Sequence, residues 1–508
     1  MILLIHDGKK VLKVLKNGNE LSFSNETILS CLFNIAKKLP KIKIVWCRKE
    51  YIDFLDLDHI EQNLDEGVMW SHDGGQGMPF QKYVGYVDPF PFIKVKEDVK
   101  FPTWQMSSIV GAITSSTLMK CRGIISESGN FDYFLNTLAK LYMPAGLFCY
   151  YNSALLKSNK PAVSPLVNYK LSLKLFFRFT VQSISVKTAF LLFLCLFFFD
   201  KKAPFLSLFN SLFFRKYPKP DTIRGPIEEF VESVLPTIDV IIPTIGRKNY
   251  LYEVLKDLNI QSHLPKRVII IEQNHDLSSK SELLEVVNEN WNFEIIHKFI
   301  HRLGVCNARN MALTLVKSDW VFMNDDDNKI SVNTIENTLK YALTLNVDCV
   351  VTAYPQPHEI VPFNSIHQSP ILGSGNAFLK AKLLSDVKFD IRYEFGYGED
   401  SDFGMQLRNS GSDIILVPYV QIIHLKAPFG GFRVTPELQW SNELIQPKPS
   451  PTIMLFKLMH ETHEQYLRYK LIAFITFYKS SGQKLIFYTK FFNTKWDSSV
   501  KWAKILLG

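Results

Sequence analysis

Three shortages narrow the reading of this chain before any motif is considered. Its seven cysteines are scattered, odd in number and never spaced as C-x-x-C, which argues for a reducing compartment and against a disulfide framework or a zinc site. Long apolar runs are missing too: the most apolar piece, Ala189 to Phe199, has 11 residues, well short of the roughly 20 that cross a bilayer. Acid is scarce between Tyr169 and Tyr217, where Asp200 is the sole carboxylate among Lys170, Lys174, Arg178, Lys187, Lys201, Lys202, Arg215 and Lys216. The start, Met1 to Asp7, turns polar too soon for a secretory signal and reads as a first strand. What remains is a 508-residue chain, long enough for more than one core, with an ordinary 47% hydrophobic share. Its formal net charge of +9 suits an anionic partner without naming it.

The most informative stretch runs from Trp320 through Val321, Phe322, Met323 and Asn324 into Asp325, Asp326 and Asp327. A short apolar run bounded by Asn and Asp reads as a buried strand, and the carboxylates then lie at its C-terminal edge, where open α/β sheets form ligand crevices. Like charges held together repel unless a cation binds, and an all-oxygen cluster suits Mg²⁺ or Mn²⁺. By itself such a cluster reads equally as a solvated turn or a helix cap.

The neighbouring segments decide between these. Ile238 to Thr244 and Arg267 to Ile271 read as strands, the latter ending on Glu272, Gln273 and Asn274. Tyr250 to Leu258 has helical spacing, and Gly304 to Asn310 leads into a helix at Met311 to Val316. Strands alternating with helices mean parallel β-α units. Further on come Gly373 to Ala377, then Gly398-Glu399-Asp400-Ser401-Asp402-Phe403, a strand at Asp413 to Val417, and His424.

In order and spacing these features, from about Asp239 to about Arg433, closely resemble a family 2 glycosyltransferase with the GT-A fold. The resemblance implies a Rossmann-like mixed α/β sheet, a nucleotide-sugar donor with uridine diphosphate as the expected carrier, a divalent Mn²⁺ or Mg²⁺, and inversion at the anomeric carbon. It implies Asp400 as general base, with Glu399 orienting it or binding the acceptor. Donor contacts would come from Pro243, Thr244, Glu272, Asn274, Arg309, Asn310, Asp325 and Asp326, with Asp239 also at a nucleoside-contacting position. Metal ligands would be Asp327 and Asp325, read as a D-x-D pair or, with Asp326 and Asp327, as the paired form; His424 is a third ligand or a structural histidine. Gly375, Asn376 and Asp402 would face the acceptor. The acidic run starts with Asn324, where many members begin with an acid, which leaves the division between ribose and metal contacts open. The acidic residues from Glu399 to Asp402 also suit a helix N-terminus.

Residues 1–160 read as a degenerate GT-A-like domain without catalysis. There Ile109 to Ile113 echoes Ile371 to Gly375, and Phe131-Asp132-Tyr133-Phe134 echoes Asp400 to Phe403, with Phe131 in the place of the base. Asp56-Leu57-Asp58 is a literal D-x-D in a helix-like stretch and reads as surface. Trp70, His72, Asp73, Gly74, Gly75 and Trp104 would line an acceptor site or fill loops and core. Residues 161–230 form a basic apolar linker, read either as helices on an anionic membrane surface or as a hairpin packed between domains. The catalytic domain is expected over 231–440 and a helical extension over 441–508. The expected activity is sugar transfer to a cell-envelope or surface glycan, free or lipid-linked, at a cytoplasmic location or peripherally at the membrane, with no nucleic-acid partner. The competing readings are an inactive sugar-nucleotide-binding scaffold and a metal-dependent nucleotidyltransferase. The missing glycine-rich phosphate loop and the distant Gly398 to Phe403 segment weigh against the latter, and the intact carboxylates against the former.

Overall fold

The computed structural model describes residues 1–22, 27–80, 83–90, 93–126, 129–157, 169–428, 437–479, 482 and 484–508. Arg433, near the end of the resemblance, and residues 161–168 of the expected linker lie outside these. The chain divides into two compact units, Met1–Gly225 with Glu461–Thr476, and Pro226–His460 with Phe477–Gly508.

In the first unit the order is β1 (Ile2–His6), β2 (Val11–Lys16), β3 (Asn19–Glu20), α1 (Ile28–Lys38), β4 (Lys43–Arg48), α2 (Leu57–Asn63), β5 (Val68–His72), β6 (Phe101–Pro102), β7 (Val110–Thr114), α3 (Ser115–Lys120), α4 (Phe131–Tyr142) and β8 (Phe148–Tyr151). β1, β5 and β7 are buried at every residue, as strands covered on both faces must be. α1 shows why a helix forms where it does. Thr27 accepts from the Ser30 N–H at its start, Lys37 and Lys38 favour its negative end, and Ile28, Leu29, Leu32, Ile35 and Ala36 bury one face. Asp56 caps α2, so the literal D-x-D belongs to a helix start. Trp70, His72, Asp73 and Trp104 are buried.

The basic apolar segment forms α5 (Leu173–Phe179), α6 (Val186–Phe198) and α7 (Phe205–Ser211). Phe176, Phe177, Phe179, Leu192, Leu196 and Leu208 join the first unit's hydrophobic core, so one face of these helices is core packing. Among the described residues, no helix is long and apolar enough to cross a membrane.

The second unit runs β9 (Ile238–Thr244), α8 (Lys248–Asn259), β10 (Arg267–Gln273), α9 (Leu284–Val287), β11 (Glu294–Ile300), α10 (Val305–Leu313), β12 (Trp320–Asn324), β13 (Asn328–Ile330), α11 (Thr334–Thr344), β14 (Cys349–Ala353), β15 (His367–Gln368), β16 (Asn376–Lys380), α12 (Glu399–Asn409) and β17 (Ile415–His424). The C-terminal helices α13 (Pro451–His460), α14 (His463–Lys479) and α15 (Leu485–Leu507) follow. The sheet order is β11-β10-β9-β12-β16-β14-β17-β13, with β15 on β17. β9 to β12 lie parallel, and β16 enters antiparallel beside β12. The C-terminal ends of β9, β10 and β12 therefore share one edge, where the three carboxylates emerge.

Two elements differ from the expected spans. α10 begins at Val305 instead of Met311, which places Arg309 and Asn310 inside the helix. β17 continues past Val417 to His424, through an irregularity in its pairing with β14, and then pairs with β13.

The two units share a topology. The order β1-β4-β7-β5-β8-β6 matches β9-β12-β16-β14-β17-β15, with the same parallel or antiparallel sense at every pairing. Register sharpens the match. Cys47 pairs with Val110 and Asn324 with Asn376, so Ser108 and Ser374 occupy equivalent places, as do Arg48 and Asp325. α4 starts at Phe131 after its cap Asn130, and α12 at Glu399 after Gly398. The equivalent of Asp400 is thus Asp132, not Phe131: the helix start, not the aromatic pattern, sets the position. Both carboxylates accept from the equivalent backbone, Ser108 N to Asp132 at 2.7 Å and Ser374 N to Asp400 at 3.3 Å.

Candidate active site

The C-terminal edge of β9, β10 and β12 opens on a cavity of about 340 Å³. Pro243, Thr244, Arg309, Asp325, Asp326, Asp327, Glu399 and His424 all line it, as the sequence led one to expect. Arg247, Gln273, Glu394 and Lys426 line it as well and were not foreseen. Arg247 follows the first strand by three residues and could have been noticed as a cation beside a phosphate crevice. Glu394 carried no local signal.

The three adjacent carboxylates have different surroundings. Asp326 turns to Thr244 Oγ1 at 2.6 Å and to Arg247 at 2.7 Å. Burial raises its pKa to about 6 against the pull of Arg247. Asp327 is buried as well, yet it sits below the ordinary carboxylate range because His424, the Ala427 N–H and Arg247 outweigh desolvation. His424 is raised in turn, chiefly by its hydrogen bond to Asp327, with Nε2 at 3.4 Å. Asp325 accepts from Arg309 at 3.0 Å and from the Tyr354 hydroxyl at 3.1 Å. A side chain at Gly375 would meet Asp325 and Tyr354, so glycine there permits their close approach.

Donor atoms of Asp325, Asp327 and His424 lie within 4.8 Å of one another. Two carboxylates and an imidazole form a mixed oxygen and nitrogen donor set that could hold a divalent metal ion, with the imidazole suiting Mn²⁺ better than Mg²⁺. The ladder that pairs Asn328 with His424 brings this histidine to the acidic run, and Leu425 N bonds to Asp327 O at 3.0 Å.

Beside this cluster stands the start of α12. Arg309, 6% exposed, reaches Asp325 and lies 3.8 Å from Asp400 Oδ1, so it ties the two acidic groups together. Burial raises Asp400, opposed by Arg309, and burial together with the Asp400 charge raises Glu399 to about 7. Asp400 Oδ1, at the position expected of the base, is buried with no hydrogen-bond partner and has the Arg309 guanidinium as its facing charge.

Several expected contacts point elsewhere. Asp402 is buried against His460 at 2.6 Å and Gln406 at 2.7 Å, which anchors α12 and leaves no face for an acceptor. Asn310 is engaged at both amide atoms by the Phe389 backbone. Asn376 donates to Thr352 O inside the sheet. Glu272 is held by Ser281, the Glu282 N–H and His297, and Asn274 accepts from the Asp276 N–H. None of these lines the cavity, where Gln273 stands instead. Asp239 holds Arg267 and the Lys317 and Ser318 backbone at the other end of β9, outside the cavity lining.

The sheet order is that expected of the GT-A fold. Residues 239–397 match the model of Glycosyl transferase family 2, and this segment is a domain of that family. A search of curated proteins finds no match. Among solved structures, the chain is similar to S. aureus TarS 1-349 in complex with UDP-GlcNAc, with 17% identity over 46% of this chain and 69% of that one, and a TM-score of 0.34. It is also similar to GalNAc-T7 with UDP, GalNAc and Mn²⁺, with 14% identity over 38% of this chain, 44% of that one and a TM-score of 0.31. For the mannosyltransferase PcManGT from Pyrobaculum calidifontis in complex with GDP-Man and Mn²⁺, the identity is 15% over 54% of this chain and 75% of that one, with a TM-score of 0.30. At such scores the reading of function rests on the family match and the site.

Proposed function

We propose that the second unit transfers a sugar, with inversion, from a nucleotide-sugar donor to a hydroxyl of a cell-envelope or surface glycan. The observation that carries this is the placement of Asp325, Asp327 and His424 on one side of Arg309 and Asp400 on the other. A divalent ion held by the first three would act as a Lewis acid on the departing nucleoside diphosphate. Thr244, Gln273 and Arg247 stand around the space left for the nucleotide. Asp400 takes the acceptor's hydroxyl proton as that oxygen attacks the anomeric carbon. A carboxylate raised by burial is the stronger base, and Glu399, raised to about 7, keeps a proton near neutrality and can donate a hydrogen bond to the acceptor or to Asp400. Arg309 keeps Asp400 ionised. A UDP-sugar is the favoured donor, Mn²⁺ or Mg²⁺ the metal, and a lipid-linked acceptor at the cytoplasmic face of a membrane the favoured setting, with the protein attached peripherally. The first unit is non-catalytic in this reading, because Arg48 stands where Asp325 stands in the second.

Purified protein incubated with a panel of nucleotide sugars and Mn²⁺ should slowly release nucleoside diphosphate. Chelation or Asp327→Ala should stop the release. Undiminished release in the chelated protein, or pyrophosphate release from a nucleoside triphosphate, would overturn the reading.

A further inference from the structure

The outer face of α6 and α7 is unusually apolar. Phe205 is 63% exposed, Leu206 78%, Phe209 59% and Phe213 73%, and Phe190, Phe197, Phe198 and Leu212 are exposed beside them. These side chains are not scattered. Phe193 on α6 contacts Phe197 at 6.2 Å between ring centroids and Phe205 at 4.9 Å, Phe197 contacts Phe198 at 5.3 Å, and Phe209 contacts Phe213 at 5.2 Å. One aromatic surface therefore runs across both helices, while their inner faces are used by the core. Contiguous patches of this kind mark interaction sites.

The surrounding charge selects the partner. Lys187, Lys201, Lys202, Arg215 and Lys216 are exposed along the same segment. The one acid, Asp200, accepts from the Tyr86 hydroxyl at 2.8 Å. Phenylalanine and leucine flanked by cations, with the acid engaged inward, complement anionic headgroups over acyl chains. α6, at 13 residues, is about 20 Å long and cannot cross the roughly 30 Å of hydrocarbon, so its apolar side can only lie along the boundary. We propose that the α6–α7 face docks on the surface of an anionic lipid bilayer, with the phenylalanines inserted and the lysines and arginines at the headgroups. This supplies a face and a lipid chemistry for the peripheral attachment above and rests on that part of the reading alone.

Full-length protein is tested by co-sedimentation with vesicles of phosphatidylcholine alone or with phosphatidylglycerol added. Binding to the anionic vesicles should be at least about tenfold stronger and should weaken as salt is raised. F205S/L206S/F209S/F213S should lose binding to both vesicle types. K201Q/K202Q/R215Q/K216Q should lose at least about tenfold on anionic vesicles only. Both variants should remain folded by circular dichroism, since the substituted side chains lie on the exposed face, and donor hydrolysis should be unaffected in both. D400N protein should bind vesicles like wild type, which separates failure of the transfer reading from failure of docking. Equal binding to both vesicle types, no binding to either, or a phenylalanine variant that only loses self-association by light scattering would overturn the proposal.

Discussion

The two units use the same strand order and differ in what stands at the strand ends. At the tip of the strand beside the antiparallel insertion, the second unit has Asp325 and the first has Arg48, which is paired with Glu50. At the second position of α12 and of α4 both keep a carboxylate, Asp400 and Asp132, each bonded to an equivalent serine backbone. Their surroundings diverge. Asp400 faces Arg309 and retains a partnerless oxygen, whereas both oxygens of Asp132 are taken by Ser108. A carboxylate at this place is thus compatible with a purely structural role, and what distinguishes the second unit is the acidic cluster across from it. The same strand order can carry different residues at its strand ends because topology depends on buried apolar strands, not on the residues at their ends.

The sharpest way to break this comparison is to give the second unit the first unit's residue. Asp325→Arg should abolish metal-dependent nucleotide binding by calorimetry while the protein stays folded. Retained affinity with metal present would remove Asp325 from the site. Next comes the pair Asp400→Asn and Asp132→Asn. The former should lower transfer by roughly a hundredfold to ten-thousandfold, and the latter should leave it near wild type. Comparable losses in both would mean that the first unit contributes to chemistry.

A smaller effect concerns stability. Burial raises Asp132 from 3.8 to about 6, so folding disfavours its ionised form. Its contribution is then most favourable below about pH 4 and is lost as pH rises through about 6, by up to about 3 kcal/mol. Asp132→Asn should flatten this dependence, and a variant whose denaturant midpoint follows pH as wild type does would contradict it. The smallest change expected is in Asp58→Ala, on the exposed start of α2, which should shift stability by less than about 0.5 kcal/mol and leave metal binding untouched.

Much of this was legible in the sequence. Apolar runs located β9, β10 and β12, the last two ending on Asn, Asp or Glu, and the structure brings Asp325, Asp327 and His424 together, with Asp400 joined to them through Arg309. What escaped has physical reasons. Periodicity does not mark where a helix starts, so Val305 and Phe131 were misplaced in register, and with Phe131 the equivalence of Asp132. A sequence motif shows that a side chain is polar but not which way it turns, so Asp402 and Asn310, held by partners inside the protein, and Asn376, which donates to Thr352 O within the sheet, looked like ligand contacts. Glu394, which accepts from the Cys306 and Asn307 N–H groups at the start of α10, comes from a loop with no pattern of its own.

The short ladder between β13 and β17 has a further consequence. Three residue pairs, from Asn328 with His424 to Ile330 with Ile422, join segments almost a hundred positions apart and set His424 beside Asp327. An ion shared by those two side chains would clasp both strands of the ribbon at one end, so opening the ribbon would require releasing the ion. Amide hydrogen exchange at Lys329, the residue of this ladder whose N–H faces β17, should therefore slow when Mn²⁺ is added and return to its metal-free rate with His424→Ala, which makes that backbone amide a gauge of metal occupancy that needs no substrate.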